Sequence, residues 1–332
     1  MSSLTDLWHA LVADPPRPVA GAPGLDSPLW PDDWDREQRF DVARAWLPSA
    51  APMLMAEFPH LFPGSELALD TLFRLWLPWA IAQTRSPRSG PRIVGLLGGQ
   101  GSGKTTFTRV VSRLLESQGI CCLALSLDDL YLSWAERRRL QQQDPRLIWR
   151  GPPGTHDLAL GQELLAQFRR GEAIAMPRFD KSLHQGQGDR LPPHPPRAAE
   201  LLLFEGWFVG VRPLATEPES WPEPIVSEAD RSFARDCQHR LRAYLPLWAH
   251  LDQLLVLQPE DYRWNRLWRQ QAERELVART GQGMDEAGID AFVSYFWKAL
   301  HPQLVLPPLR PQADLWVDLG ADHRISSIHP RP

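Results

Sequence analysis

The chain has 332 residues, 43% hydrophobic and 23% charged, with a net charge of −4. That is the makeup of an ordinary globular protein, with room for one large α/β domain or two modest ones, and its slightly acidic balance argues against a general nucleic-acid or membrane-surface binder. The three cysteines include an adjacent pair, Cys121 and Cys122, inside an apolar run, which reads as buried packing rather than a redox or metal set.

The N-terminal segment lacks the basic-then-apolar layout of a secretory signal, being interrupted by Asp6, and it is not the Arg/Ser-rich pattern of an organellar leader. The apolar stretch Leu72–Ala82 contains Arg74 and Pro78 and is too short to cross a bilayer. A cytoplasmic protein with no membrane partner is the expectation. Pro15, Pro16, Pro18, Pro23 and Pro28 mark an irregular start. Helical patterns follow at 36–46 and 66–83, so residues 1–90 read as a helical N-terminal extension, with 86–91 as a linker into a second unit spanning 91–332.

That unit opens on Ile93-Val94-Gly95-Leu96-Leu97, a short apolar run typical of a buried parallel strand. Next comes Gly98-Gly99-Gln100-Gly101-Ser102-Gly103-Lys104-Thr105-Thr106, which contains the pattern G-x-x-x-x-G-K-[ST]. Glycines let successive backbone N–H groups converge on phosphate oxygens, the lysine reaches the outer phosphates, and the threonine hydroxyl suits a Mg2+ ion. Phe107, Val110, Val111, Leu114 and Leu115 then fall on one face of a helix ending at Gly119. Strand, glycine loop, helix is the order that gives the motif its meaning, because the helix N-terminus adds its dipole to the anion site. The chain is expected to bind a nucleoside triphosphate, with residues 98–106 as the ATP site.

Strand patterns at 120–126, 200–204, 254–257 and 315–319 alternate with helical ones at 133–143, 158–170 and 229–244, implying a mainly parallel, doubly wound α/β sheet. Ligands of such sheets bind beyond the carboxyl ends of the strands. Asp128 and Glu205 follow the second and third strand patterns, placing Asp128 as a base beside the acceptor and Glu205 as a carboxylate associated with Mg2+. Asp129 reads equally as a cap. Arg263, Arg266 and Arg269 line one helical face with Trp264 and Trp268 among them, which fits either a lid over the phosphates or a solvated surface. Arg178, Lys181 and Arg190 lie in a glycine-containing stretch and suit a small anionic acceptor. His156 is either an acceptor-site residue or a structural hydrogen-bonder.

These residues carry a resemblance. Ser126-Leu127-Asp128-Asp129-Leu130-Tyr131 resembles the signature of the uridine kinase and phosphoribulokinase branch of P-loop kinases. More narrowly, Gly154-Thr155-His156-Asp157-Leu158, Pro177-Arg178-Phe179-Asp180-Lys181-Ser182 with Gly188-Asp189-Arg190, and Phe204-Glu205-Gly206-Trp207 resemble glycerate 3-kinases of the plant and cyanobacterial type. The similarity runs over roughly residues 90–300 and continues through Leu241, Tyr244 and Trp248 and through Trp268-Arg269 with Gln271-Ala272-Glu273. It implies a P-loop kinase that uses ATP and Mg2+ to phosphorylate the 3-hydroxyl of D-glycerate. In that setting Asp128 is the general base, Lys104 and Arg269 act on the phosphates, Thr105 and Glu205 serve the metal, and Arg178, Lys181, Arg190 and His156 bind the acceptor. The acceptor segment would lie near 150–190 and the lid near 260–280. Two departures stand out: Gly98-Gly99 where the family often has Ala-Pro, and Tyr295 where an arginine is expected.

Overall fold

The computed structural model describes residues 3–13, 25–85, 90–281 and 283–331. Most of the expected 86–91 linker, and the prolines at 15, 16, 18 and 23, lie outside the described residues.

The N-terminal helices are α1 (Leu4–Val12), α2 (Arg36–Glu57), α3 (Glu66–Thr71) and α4 (Leu77–Arg85), the last two joined by a π-helical turn at Leu72–Trp76. Ser3 and Asp35 start α1 and α2 through reciprocal capping boxes with Asp6 and Gln38, a device that satisfies backbone donors at each helix start. Next come β1 (Arg92–Gly98), α5 (Lys104–Glu116), β2 (Cys122–Ser126), α6 (Trp134–Gln143) and α7 (Leu158–Arg169). A short hairpin follows, β3 (Arg178–Asp180) with β4 (Asp189–Leu191), then β5 (Leu201–Gly206), α8 (Glu228–Leu241), α9 (Leu245–Trp248) and β6 (Gln253–Pro259). The chain closes with α10 (Trp264–Thr280), α11 (Glu286–Ala299), α12 (Pro302–Val305), β7 (Leu315–Leu319) and β8 (Ile325–Pro330).

One six-stranded sheet runs in the order β2-β5-β1-β6-β7-β8. All neighbours are parallel except the β7–β8 pair. The sheet is thus the expected mainly parallel one, with β8 as an antiparallel edge absent from the sequence reading. Alternate residues of the central strands face two separate apolar layers. Val94 and Leu96 pack with α5 and the N-terminal helices, including Leu47, Phe73 and Trp79, and Trp79 meets Phe107 edge-on at 5.3 Å. Ile93 and Leu97 face the other layer, with Phe168, Phe208, Tyr244 and Phe296. The N-terminal helices therefore complete one side of the sheet. The carboxyl ends of β1, β2 and β5 open onto a common crevice, where parallel register brings Leu97 level with Gly206 and Ser126 level with Glu205. No helix of the described residues is long and apolar enough to cross a membrane.

Candidate active site

The phosphate cradle is built from backbone. Gly101 and Gly103 hold φ of +78° and +84°, a region where side chains are strained. Gly98 is required by crowding: a Cβ there would meet Ser102 Oγ at 2.3 Å and the Leu257 carbonyl at 3.0 Å. The Ser102 hydroxyl and the Lys104 ammonium both donate to the Gly99 carbonyl, at 2.9 and 2.8 Å, which draws the loop tight. Burial lowers the Lys104 pKa, while Glu205 and Asp128 pull it back up. Directly after Lys104, the Thr105 hydroxyl lies 3.3 Å from Glu205 Oε1. A hydroxyl and a carboxylate oxygen side by side at the start of α5 are hard donors of the kind Mg2+ prefers when it also takes phosphate oxygens and water.

Across the crevice, β2 ends in a 3-10 turn at Leu127–Leu130. The Ser126 side chain caps it, and Asp129 Oδ2 accepts the Ser126 backbone N–H at 3.3 Å, so Asp129 serves the turn. Burial and the neighbouring Asp128 charge push the Asp129 pKa up to about 6. Asp128 points the other way. Its Oδ1 accepts the Tyr131 hydroxyl at 2.7 Å, and its Oδ2 pairs with the Lys181 ammonium at 2.6 Å. Burial works to raise its pKa, but the Lys181 charge and these hydrogen bonds outweigh it and keep the carboxylate below its ordinary value. Asp128 is thus an anion at neutral pH, held in place from both sides.

Lys181 reaches Asp128 directly, while His156 stands one residue back, against Tyr131. His156 is buried, stacked on Tyr131 with centroids 4.7 Å apart, and burial lowers its pKa to about 3, only partly opposed by the Asp128 charge. The imidazole is therefore neutral. Arg190 is engaged elsewhere: its Nε donates to the Tyr131 carbonyl at 2.8 Å and its Nη2 to Asp157 Oδ2 at 2.9 Å. It ties β4 to the loop that carries Tyr131 and to the N-cap of α7. Arg178 begins β3 with an exposed side chain. The hairpin itself is clamped by Arg137 and Arg150, which both donate to the Gln187 carbonyl, at 2.7 and 3.0 Å.

Each arginine of the row at the start of α10 has an acidic partner, although Arg269 Nε is buried without one. Arg263 bonds Asp261, Arg266 bonds Asp290 of α11, and Arg269 reaches Glu273 at 2.6 Å one turn along. The Arg269 guanidinium also lies over Phe292, 5.5 Å from its centroid. What faces the P-loop from α10 is instead Asn265 and Trp268. A Cβ on Gly99 would strike the Asn265 amide at 2.4 Å, and one on Gly101 would strike Trp268 Cβ at 2.6 Å. Trp268 is fixed by its Nε1–H to the Ala321 carbonyl at 2.8 Å and by stacking on His323 at 4.2 Å.

No family model matches the chain. It is 30% identical over 246 residues to an uncharacterized kinase of Schizosaccharomyces pombe, mug58, across 70% of this chain and 86% of that protein. It is 29% identical over 229 residues to the chloroplastic D-glycerate 3-kinase of Arabidopsis thaliana, across 64% of this chain and 48% of the plant protein, so it spans about half the plant protein's length. Among solved structures, D-glycerate 3-kinase from Cryptococcus neoformans superposes with a TM-score of 0.66 at 26% identity, covering 77% of this chain and 96% of that one. The chain belongs to the glycerate 3-kinase family of P-loop kinases.

It is accordingly an ATP-dependent small-molecule kinase. The absence of a Cβ at Gly99 lets the Asn265 amide sit directly on the P-loop. At the second departure, Tyr295 is buried on α11 and donates to the Arg146 carbonyl at 3.0 Å, so this position serves packing. The sequence reading left out four residues that shape the site: Tyr131, Asp157, Tyr244 and Asn265. Tyr131, Asp157 and Tyr244 had a signal, since each stands inside a quoted motif. Asn265 had none, because only the folded approach of α10 to the P-loop gives it a role.

Proposed function

We propose that this kinase transfers the γ-phosphoryl group of ATP to the 3-hydroxyl of D-glycerate, giving 3-phosphoglycerate and ADP. The observation that carries the reading is the Asp128–Lys181 pair facing the P-loop. A single ammonium beside an anionic base is what an acceptor with both a hydroxyl and a carboxylate needs. The hydroxyl hydrogen-bonds to Asp128 and gives up its proton as its oxygen bonds to phosphorus, while the bond from phosphorus to the β–γ bridging oxygen breaks. Lys181 then holds the acceptor carboxylate and aims the hydroxyl. Lys104 and the backbone amides of 98–106 neutralise the phosphates. Thr105 and Glu205 would hold Mg2+, which neutralises charge on the phosphate oxygens when bound. In this reading Arg269, which pairs with Glu273, would have to leave that partner to join the transferred group.

The test is coupled ADP release against D-glycerate, L-glycerate, glycerol, uridine, pantothenate and ribulose 5-phosphate, with the product position read by phosphorus NMR. The expected outcome is a D-glycerate preference over glycerol of ~10- to 100-fold in kcat/KM, because glycerol offers no carboxylate to the exposed Lys181 ammonium. Glycerol turned over as well as D-glycerate would remove the assignment. Acceptor-independent ATP hydrolysis at the same rate would replace it with a regulatory ATPase.

A further inference from the structure

His156 sits at the end of a hydrogen-bond chain whose direction can be worked out by counting donors. The Gly154 backbone N–H donates to the Tyr244 hydroxyl oxygen at 2.8 Å, and that hydroxyl lies 2.7 Å from His156 Nδ1. If Nδ1 carried the proton, the Tyr244 oxygen would accept twice and its own hydrogen would have nowhere to go. The arrangement that uses every group is Gly154 N–H to Tyr244 oxygen, then Tyr244 O–H to a bare Nδ1. The ring proton is then on Nε2. That atom is buried and has no partner among the described residues, an expensive state for an N–H donor. The ring is 4% exposed and lies flat on Tyr131, whose hydroxyl is on Asp128.

We infer that His156 is a specificity-determining residue whose Nε2–H donates to the 2-hydroxyl of the acceptor, with Tyr244 as the positioning residue that fixes its tautomer. The inference rests on D-glycerate being the acceptor and goes beyond that reading by assigning the oxygen next to the reacting one. A neutral donor matches a neutral hydroxyl, whereas the acceptor carboxylate goes to the ammonium of Lys181 and away from Asp128. The N–H is shielded from water, and Lys181 lies across Asp128. Docking of the acceptor hydroxyl on Asp128 displaces that ammonium and lets the 2-hydroxyl in. Because the 2-hydroxyl is on the stereocentre, this one contact separates D- from L-glycerate and both from an acceptor lacking the group.

Two measurements test it. The first compares kcat/KM for D-glycerate and 3-hydroxypropionate, which lacks the 2-hydroxyl. The wild type should prefer D-glycerate by ~100-fold or more, as a site built to bond a hydroxyl rejects its absence. His156→Asn, whose amide nitrogen reaches only the Nδ1 position, should shrink that ratio to within about threefold by losing D-glycerate turnover alone. His156→Gln, which places an N–H near Nε2, should restore most of it. Equal loss on both acceptors, or an unchanged ratio in His156→Asn, would mean a structural role and overturn the inference. The second reads the imidazole nitrogens by 15N NMR without acceptor: Nε2 protonated and Nδ1 bare in the wild type, a tautomer mixture in Tyr244→Phe. A proton on Nδ1 in the wild type overturns it directly. Absence of any D-glycerate turnover in the wild type would instead remove the proposed function, and the 2-hydroxyl assignment with it, leaving the tautomer to stand or fall by NMR.

Discussion

The phosphate cradle and the proposed acceptor site lie in one crevice and are made in opposite ways. The cradle is nine consecutive residues whose chemistry is mostly backbone: positive φ at Gly101 and Gly103, close approach at Gly98, and a single lysine. The proposed acceptor site is made of side chains from distant segments, with Asp128 after β2, Lys181 between the hairpin strands and His156 held by Tyr244 from 88 residues away. A phosphate presents the same face in every nucleotide, so a contiguous backbone nest serves it. An acceptor must be told from its neighbours, and that takes side chains brought together by the whole fold. Substitutions in the cradle should therefore weaken ATP binding and turnover together, and substitutions in the acceptor site should spare ATP.

The largest effect is expected at the base. Asp128→Asn keeps shape and loses the proton acceptor, so turnover should fall by ~100- to 10,000-fold while ATP affinity, measured by calorimetry, stays within about threefold because no cradle group is touched. Parallel loss of both would make Asp128 part of the nucleotide site. Lys104→Ala should cost at least ~100-fold in turnover, on the scale of removing one electrostatic contact at a reacting centre, and should weaken ATP binding as well. Gly101→Ala puts a methyl at positive φ against Trp268. A rise of ~10-fold in the KM for ATP, with little change in the KM for acceptor, is the expected signature of a backbone nest pushed open.

Arg190→Lys sharpens the comparison further. A lysine can satisfy the Tyr131 carbonyl or Asp157 but not both with a planar fork, so kcat/KM for D-glycerate should drop by ~10-fold together with a lower Tm. The same kinetic loss at unchanged Tm would mean that the guanidinium serves the acceptor rather than bracing Tyr131.

The smallest effect is a pH dependence. The folded state raises the Asp129 pKa from 3.8 to about 6, so the folded chain binds this proton more tightly than the unfolded one. The stabilisation is complete below about pH 4 and disappears as pH rises through 6. Asp129→Asn removes this titration, so its Tm relative to wild type should improve between pH 4 and pH 7 by the equivalent of about 1–2 kcal/mol. A difference that does not change with pH would place the charge of Asp129 in solvent.

The same contrast explains what was readable beforehand. β1, the glycine loop and α5 follow from local spacing, because each residue's role depends on its neighbours in sequence. The β3–β4 hairpin was not readable, since Arg178–Asp180 and Asp189–Leu191 are three-residue strands with little apolar alternation. β8 escaped for the same reason: Ile325–Pro330 holds two serines, a histidine and a proline, tolerable only at a sheet edge. The arginine row at the start of α10 was visible, but its pairing with Asp290 and Glu273 was not, because only the folded approach of α11 and the buried setting of Glu273 give these pairs.

Arg74, in the π-helical turn among the N-terminal helices, donates through Nη1 to the carbonyl of Ile325 at 2.9 Å. Ile325 begins β8, and its side chain is buried in the same apolar layer as Phe73. A ribosome making this chain must therefore emit some 250 residues after Arg74 before that partner exists. Until then, the layer that holds Phe73 can form on β1 and α5 but lacks its β8 edge, which leaves the docking of Arg74 as a late event of synthesis.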